Sequence, residues 1–284
     1  YLKDADPAVV NKIDRMENVL SRINENLERS HLDLFIDEQE EQELTDALMA
    51  KGEGKEITLD RSKKYVRRVF NNSSLYQGGR FYGAFWQGIP KEYRRLITIN
   101  GHQTIELDYS SLHIHLLYAR MQRHCSLEDN YVFGKLTEAF RPVTKRLMMM
   151  LINAGTEQKA IGAAHKERLF DKGWPLGIKS AKEYVEEIRQ HHNPIQQFFG
   201  SGIGVELQYQ DSEIAQRVML ELLPEPCLTV HDSFIVRTAA KGQLETAMYE
   251  AFRLTTGTEP DIKHKILEVT ETREEQIVGL IEDE

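Results

Sequence analysis

Two short segments with strand periodicity, set in a chain whose remaining pattern is mostly helical, constrain this fold more than any other feature. The first is IELDYS at 105–110, preceded by ITI and an Asn-Gly pair, and the second is LTVHDSFIV at 228–236. Alternating apolar residues around Asn-Gly are typical of a β-hairpin, and LTV, HDS and FIV are typical of strand, tight turn and strand. The sequence therefore predicts an α+β fold in which a small antiparallel sheet lies among helices.

The segment before these strands is predicted to be helical. Apolar residues recur at three- and four-residue spacing from Val9 to Leu27, and Leu44 and Leu48 indicate a further helix. The charged, glycine-containing sequence KGEGKE at 51–56 predicts a boundary near residue 55.

The segment between the two strand regions also has helical periodicity. Ser110 or Ser111 can cap a helix that begins directly after Asp108. Glycines and prolines at 171–178 indicate a loop, and Pro224 closes the last helix before the second strand region. Three further helical segments are predicted: residues 134–170, 180–190 and 205–223.

Charge is distributed unevenly along the chain, whose formal net charge is -9. Residues 1–60 carry 7 Lys+Arg against 16 Asp+Glu, and residues 266–284 carry 1 against 7. Residues 61–100 carry 9 Lys+Arg against 1 Glu. A basic segment between an acidic head and tail predicts a phosphate-contacting surface, with a solvated helix face as the alternative.

Composition indicates a soluble, intracellular protein. No stretch approaches the roughly 18 consecutive apolar residues of a membrane span, and the N-terminus has no basic-then-apolar signal layout. The two cysteines, Cys125 and Cys227, indicate neither a disulfide scaffold nor a zinc ribbon. We therefore expect a cytoplasmic protein without a membrane partner, and the initial Tyr1 suggests a processed form or an excised domain of a longer protein.

Asp108 and Asp232 are candidate metal ligands, because each stands at the end of a short apolar strand. On adjacent strands of one sheet they could hold two divalent ions about 4 Å apart, the separation used for in-line displacement at phosphorus. Hard oxygen ligands suit Mg²⁺. The alternative for each residue is a purely structural role, as an aspartate of a turn or a helix cap.

A third element is RPVTKRLMMMLINAG, in which Arg141 and Lys145 are four residues apart and share one helix face. Two cations at this spacing can neutralise the charge of a triphosphate. An ordinary surface basic pair is the alternative, although the following apolar run implies that the helix is buried beneath its cationic face.

The order and spacing of these three elements resemble motifs A, B and C of family A DNA polymerases and of the single-subunit RNA polymerases of phages and mitochondria. DYSSLHIHLL resembles the DYSQIELRI form of motif A in the DNA enzymes. RPVTKRLMMML, HDSF and GGRFY instead resemble the RNA enzymes, the last through their RGRVY element. The resemblance covers about residues 75–240.

The resemblance implies a right-hand polymerase with a palm sheet, helical fingers and a helical, thumb-like N-terminal region. Its domains follow the motifs: an acidic helical head or linker at 1–55, palm at 56–132, fingers at 133–204, palm again at 205–265 and an acidic tail at 266–284. The implied reaction is attack of a 3′-hydroxyl on the α-phosphate of a nucleoside triphosphate, with loss of pyrophosphate.

The resemblance also implies a role for each site residue. Asp108, Asp232 and the backbone carbonyl of Tyr109 would bind two Mg²⁺ ions, for which Mn²⁺ could substitute. Lys145 and Arg141 would bind the triphosphate, and Lys145 could protonate the leaving group. Arg80 would contact the template or the nucleotide, and His231 would help to position the primer end. Gln208 and Asp211 would support the site.

Two departures from the family pattern bear on sugar choice. The Tyr-Gly pair of motif B is replaced by Asn153 and Ala154, and Asn153 could hydrogen-bond a 2′-hydroxyl. The residue five positions after Asp108 is His113, where the DNA enzymes have Glu and the RNA enzymes have Gly. The RNA-enzyme-like motifs B and C favour ribonucleotides, and a DNA polymerase is the alternative.

The chain is short for a polymerase that must open a duplex. We therefore expect primase-like or short-product synthesis on single-stranded or opened template, with a larger protein or a fused domain supplying access. One rival class is a metal-dependent phosphohydrolase or nuclease that uses the aspartates with His113, His115, His124 and His231. The other is a catalytically inactive palm that binds nucleic acid.

Overall fold

The structure, a computed structural model, describes residues 6–51, 59–125 and 128–264. The predicted linker at 51–56 lies almost wholly outside the described residues, and so does the acidic tail at 266–284. No helix in the described ranges is both long enough and apolar enough to cross a membrane.

Helices and strands follow one another in a mixed order that agrees with an α+β fold. In chain order they are α1 (Pro7–Arg29), β1 (Leu32–Leu34), α2 (Glu38–Lys51), β2 (Arg67–Phe70), β3 (Gly78–Tyr82), β4 (Ile97–Ile99), β5 (His102–Tyr109), α3 (Leu112–Arg120), α4 (Arg141–Asn153), α5 (Glu157–Lys166), α6 (Ala181–His191), α7 (Gly204–Glu221), β6 (Leu228–Val230), β7 (Ser233–Arg237), α8 (Lys241–Thr256) and β8 (Ile262–His264).

The main sheet is antiparallel and is built around the long strand β5. Its strand order is β1-β4-β5-β7-β6, and β8 also pairs with β5. The hairpin between β4 and β5 turns at Asn100 and Gly101, which both have positive φ, +53° and +75°. Asn-Gly tolerates that conformation at little cost, so the predicted hairpin is confirmed.

The prediction that the first third is helical is wrong where β1, β2 and β3 form, and β1 joins the main sheet. Residues Leu32–Leu34 form β1, which pairs with β4 so that Leu32 lies opposite Ile99. Two buried leucines flank a half-buried aspartate, which is strand alternation, but three residues are too few to show a period against the surrounding helical pattern. The predicted region 1–55 therefore contributes a strand to the same sheet as 56–132.

Helix α7 positions much of the interior. Its residues Leu207, Ile214 and Val218 are fully buried, and it packs on β3, α3 and α8. Close approach to β3 depends on Gly79, which has φ +79° and where a Cβ would lie 3.0 Å from the Ser212 hydroxyl. A side chain at this position would force the strand and helix apart.

The predicted helices between the strand regions are present with adjusted ends. The segment 134–170 divides into α4 and α5, and the Thr156 hydroxyl caps the second helix by accepting from the Lys159 amide. Ser111 occupies the N-cap position of α3, but it has φ +47° and its side chain makes no capping bond. The left-handed backbone at Ser111 departs from the extended conformation of an N-cap residue, which explains why the predicted cap is not formed.

In the structure, fewer cations of residues 61–100 are available to contact phosphate than the charge count of the sequence predicts. Seven of the nine cations there contact acceptors among the described residues: Arg61 (Asp33, Glu41), Lys63 (Asp60), Lys64 (the Glu28 and Ser30 carbonyls), Arg68 (Glu213), Arg80 (Asp211), Arg94 (Glu106) and Arg95 (the Glu92 carbonyl). Among the described residues, Arg67, Lys91 and Arg95 pair with no carboxylate. Most of the basic segment therefore neutralises acidic residues of the same protein.

Candidate active-site cleft

The two candidate metal ligands lie side by side at one end of the sheet. Asp108, near the end of β5, is registered opposite Ser233 of β7, and the Tyr109 amide donates to the Asp232 carbonyl over 3.2 Å. The N–H and C=O of one strand residue point to the same neighbouring strand, so the Tyr109 carbonyl also faces Asp232. Two carboxylates and one backbone carbonyl are thus grouped here.

Asp232 is presented by a two-residue turn between β6 and β7. Val230 pairs with Ser233, which leaves His231 and Asp232 as the turn. His231 has φ +59°, a left-handed conformation that costs a non-glycine residue roughly 1–2 kcal/mol. Its ring packs edge-on against Tyr82 of β3 at 5.5 Å. The surrounding packing therefore fixes a strained turn that points residue 232 into the cleft.

One face of α4 lines the same cleft. Arg141, Lys145, Met149 and Asn153 are spaced four apart, so they form one ridge along the helix, and all four line the cavity. The helix buries its other side through residues such as Leu147 and Leu151, which have no exposed surface. The predicted combination of a cationic face and a buried face is confirmed.

The two cations on this ridge have different surroundings. Arg141 donates to Asp129 over 3.0 Å, whereas Lys145 forms no ion pair with any described residue. Both lie over the ring of Tyr131, with the Arg141 guanidinium 5.3 Å and the Lys145 ammonium 5.8 Å from its centre. Cations within about 6 Å of an aromatic face are attracted to it. Tyr131 thus holds both charges at the cleft wall.

A buried charge cluster forms the base of the cleft around Asp211 of α7. Its carboxylate is 1% exposed and accepts from Arg80 Nε over 2.7 Å and also from Nη2. Arg80 Nη2 contacts His113 Nε2 at 3.2 Å, and the same His113 atom lies 3.7 Å from Asp211. Whether His113 Nε2 accepts from Arg80 or donates to Asp211 depends on the tautomer of the ring.

The charges in this cluster stabilise one another. Burial alone would raise the pKa of the Asp211 carboxyl, but contact with His113 and the charge of Arg80 hold that pKa below its ordinary value. Burial alone would lower the pKa of Arg80, but Asp211 outweighs it and raises that pKa. Arg80 is therefore a fixed cation within the cleft wall.

His231 remains neutral at physiological pH in this environment. Although the ring keeps solvent access, desolvation inside the cleft lowers its pKa below the ordinary value, and the charge of Arg80 lowers it further. Asp211 and Asp232 oppose this shift without reversing it. A neutral imidazole can both donate and accept a hydrogen bond.

The two histidines of α3 have the separate environments that their spacing predicts. His115 is buried, with 6% of its surface exposed, and His113 lines the cleft. Residues two apart on a helix point in different directions, so both cannot reach one metal ion. No group of three or more His, Cys, Asp and Glu side chains within the described ranges could hold a metal.

All ten residues predicted for the site line a single cleft of about 410 Å³. This volume lies within the range of small-molecule sites, roughly 300–1,000 Å³. The ten residues are Arg80, Asp108, Tyr109, His113, Arg141, Lys145, Asn153, Gln208, His231 and Asp232. Their proximity is established here, and their roles stay predictions.

Sequence reasoning missed several residues that shape the cleft. Tyr131 lines it and contacts both cations, and Asp129 anchors Arg141. Both lie in an irregular segment where no periodicity marks them. The amide nitrogen of Asn153, a predicted site residue, donates to the Met149 carbonyl over 2.7 Å.

No protein-family model matches this sequence, and no curated protein matches it. Among solved structures, the chain is similar to the POL domain of Pol1 from M. smegmatis, solved in complex with DNA primer-template and dNTP. The two share 14% sequence identity with a TM-score of 0.47, and the similarity covers 77% of this chain and 50% of that chain. The chain thus spans about half the length of that structure.

Proposed function

We propose that this chain is a template-directed nucleotidyltransferase, most naturally an RNA polymerase or primase-like enzyme that acts on single-stranded or opened template. One observation carries the proposal. A single cleft brings two carboxylates, Asp108 and Asp232, together with the cationic ridge of α4 that carries Arg141 and Lys145. Carboxylates for metal ions beside cations for phosphate are the requirements of phosphoryl transfer.

The donor groups fit Mg²⁺. Two carboxylates and the Tyr109 carbonyl are hard oxygen ligands, and Mg²⁺ commonly uses one or two carboxylates while substrate phosphates and water complete its shell. A closed structural metal site would need more protein ligands than the described residues offer. When bound, the ions would activate the attacking hydroxyl and stabilise charge on the phosphate oxygens.

The chain's own residues would orient and neutralise the nucleotide. Lys145 has no carboxylate partner among the described residues, so its ammonium is available to the triphosphate and could protonate the leaving pyrophosphate. Arg141 is shared with Asp129, so it would contribute less. In the reaction, a 3′-hydroxyl oxygen loses its proton to water and forms a bond to the α-phosphorus, while the bond from that phosphorus to pyrophosphate breaks.

Two side chains would position the reacting ends. His231, neutral at physiological pH, can hydrogen-bond the primer end from the turn that presents Asp232. His113 is held against Arg80 and faces the cleft, so it would contact the nucleotide sugar. Asn153 is less suited to that contact, because its amide nitrogen is already bonded to the Met149 carbonyl and its oxygen lies close to Gly204.

Extension of labelled single-stranded template, primed and unprimed, tests this proposal. The assay supplies either ribo- or deoxyribonucleotides with Mg²⁺ and compares the wild type with Asp108→Ala and Asp232→Ala. Asp14→Ala is the matched control, since Asp14 is an exposed aspartate of α1. We expect product from the wild type and the control only, with the consumed nucleotides separating RNA from DNA synthesis.

Three outcomes would contradict the proposal in distinct ways. Unchanged product from Asp232→Ala would remove the aspartate from the chemistry. Template binding without product, and without a Mg²⁺-dependent gain in nucleotide affinity, would indicate an inactive palm. Degradation of template in place of extension would indicate a nuclease.

A further inference from the structure

Glu106 is a buried carboxylate beside the candidate metal ligands, and the proposed reaction gives it no role. It lies two residues before Asp108 on β5, so both side chains are on the same face of the strand. Its side chain is 9% exposed and lies 3.3 Å from the Arg94 guanidinium, which is 10% exposed. A buried carboxylate this close to other acidic groups is costly unless a cation and hydrogen bonds compensate it.

The hydrogen-bond partner of Glu106 is a residue that closes the turn carrying Asp232. The Ser233 hydroxyl donates to Glu106 Oε1 over 2.6 Å and lies 3.1 Å from the Val230 carbonyl. Ser233 is 1% exposed and pairs with Val230 across the two-residue turn. The Glu106 carboxylate therefore holds the residue at which the turn ends.

This contact matters because the turn is strained and short. His231 has φ +59°, so the conformation that presents Asp232 persists only while its surroundings fix it. Ser233 is paired with Asp108 across the sheet and directly follows Asp232 in the sequence, so it links the two aspartates. A shift of Ser233 would alter the position of Asp232 relative to Asp108.

We propose that Glu106 is a positioning residue that acts through Ser233 to fix Asp232 for metal binding, with Arg94 as its counter-ion. The inference deepens the proposed function and rests on it for the identity of the site as a metal site. Partners behind metal ligands orient them, and their loss typically costs 10–100-fold in metal affinity or activity.

Two variants separate the hydrogen bond from the charge. Ser233→Ala removes the donor and leaves the pair of Glu106 with Arg94 intact, so it tests the hydrogen bond with little risk to folding. Glu106→Gln keeps an oxygen that can accept from Ser233 but leaves Arg94 without its counter-charge.

Each variant has a matched control elsewhere in the fold. Ser30→Ala removes a buried serine hydroxyl that bonds the Asn26 carbonyl. Glu225→Gln removes a carboxylate, 9% exposed, that pairs with Arg237.

The measurement is titration of the full chain with Mn²⁺ alone, monitored by the electron paramagnetic resonance signal of the free ion, with thermal unfolding recorded in parallel. Ser233→Ala should weaken Mn²⁺ binding by about 10–100-fold, because the hydrogen bond to Glu106 is lost. Glu106→Gln should weaken it by less, because its amide oxygen still accepts from Ser233 while Arg94 loses its counter-charge. The Ser30 and Glu225 controls should leave it within about twofold. The double variant should bind Mn²⁺ no more weakly than Ser233→Ala alone, because the two residues act in series.

The inference fails if the Ser233 and Glu106 variants bind Mn²⁺ as well as their controls do, or if the wild type binds none. Polymerase activity is scored separately. Product from a wild type whose Ser233 variant binds Mn²⁺ normally keeps the proposed function and overturns this inference. A wild type that makes no product, but whose Mn²⁺ affinity falls selectively in the two variants, keeps the inference and overturns the function.

Discussion

Replacing Asp211 with asparagine should destabilise this protein more than most single substitutions. Asp211 is 1% exposed and is the counter-charge of Arg80, with His113 close by. Asparagine preserves the shape but removes the charge, and breaking a buried ion pair from one side costs roughly 3–5 kcal/mol. Because the Arg80 side chain keeps 19% exposure, water can compensate it in part, and we expect about 3 kcal/mol.

Thermal unfolding followed by circular dichroism measures this effect. A loss of about 3 kcal/mol corresponds to a fall in Tm of roughly 6–12 °C, taking 2–4 °C per kcal/mol for chains of comparable size. The matched partner variant is Arg80→Met, and the double variant completes the cycle. The double variant should be more stable than Asp211→Asn alone, because no unpaired charge is left in the interior.

The pH dependence gives an independent check with a definite sign. The pKa of Asp211 is lowered in the folded protein, so its stabilising contribution is fully present above the unfolded-state pKa of about 3.9 and is lost as the pH falls through the folded-state pKa. The stability difference between wild type and Asp211→Asn should therefore be constant near neutral pH and shrink only below about pH 4. A Tm change under about 2 °C, or additive effects in the cycle, would refute the reasoning.

Three further predictions concern the cleft, the interior and the surface. Lys145→Met should lower kcat/KM for the nucleotide by about 100-fold in the extension assay. Arg141→Met should lower it less, because Asp129 already holds that cation, and equal effects of the two variants would contradict the assignment. Burial lowers the pKa of His192 to about 4, so wild-type stability should fall by roughly 3 kcal/mol between pH 6.5 and 4, and His192→Gln should lose this slope in urea unfolding. Template affinity should fall with salt no more steeply than expected for about three phosphate contacts from the basic segment, because three of its cations have no carboxylate partner in the described part of the chain: Arg67, Lys91 and Arg95. A steeper salt dependence that becomes shallower when the paired arginines are mutated would contradict this prediction.

The part of the fold that could be predicted depends on local periodicity and turn chemistry. The hairpin at Asn100 and the turn at His231 follow from residue types within a few positions of each other. β1 could not be predicted, because a three-residue strand is defined by its partner β4 and not by its own pattern. Ser111 is a similar case, because its residue type fits an N-cap but its left-handed backbone, which the residue type does not predict, leaves its side chain without a capping bond.

The candidate site divides in a similar way. The residues predicted from the order and spacing of the motifs, among them Asp108 and Lys145, all line one cleft. Residues defined by long-range pairing were missed or undervalued. Asp211 anchors the cleft base but was only a weak candidate, because its partner Arg80 lies 131 positions away in the sequence. Glu106 gave no signal at all, since its partner Ser233 lies 127 positions away.

The distribution of charge bears on how the proposed enzyme would meet its template. The chain is acidic overall, and a net charge of -9 does not attract a polyanion at long range. Most cations of the basic segment are engaged by acceptors of the same chain, whereas Lys145 faces the cleft with no described carboxylate partner. Short-range contact with the triphosphate should therefore dominate phosphate recognition. Template would have to be retained by contacts inside the cleft or delivered by a partner protein or fused domain that carries positive charge.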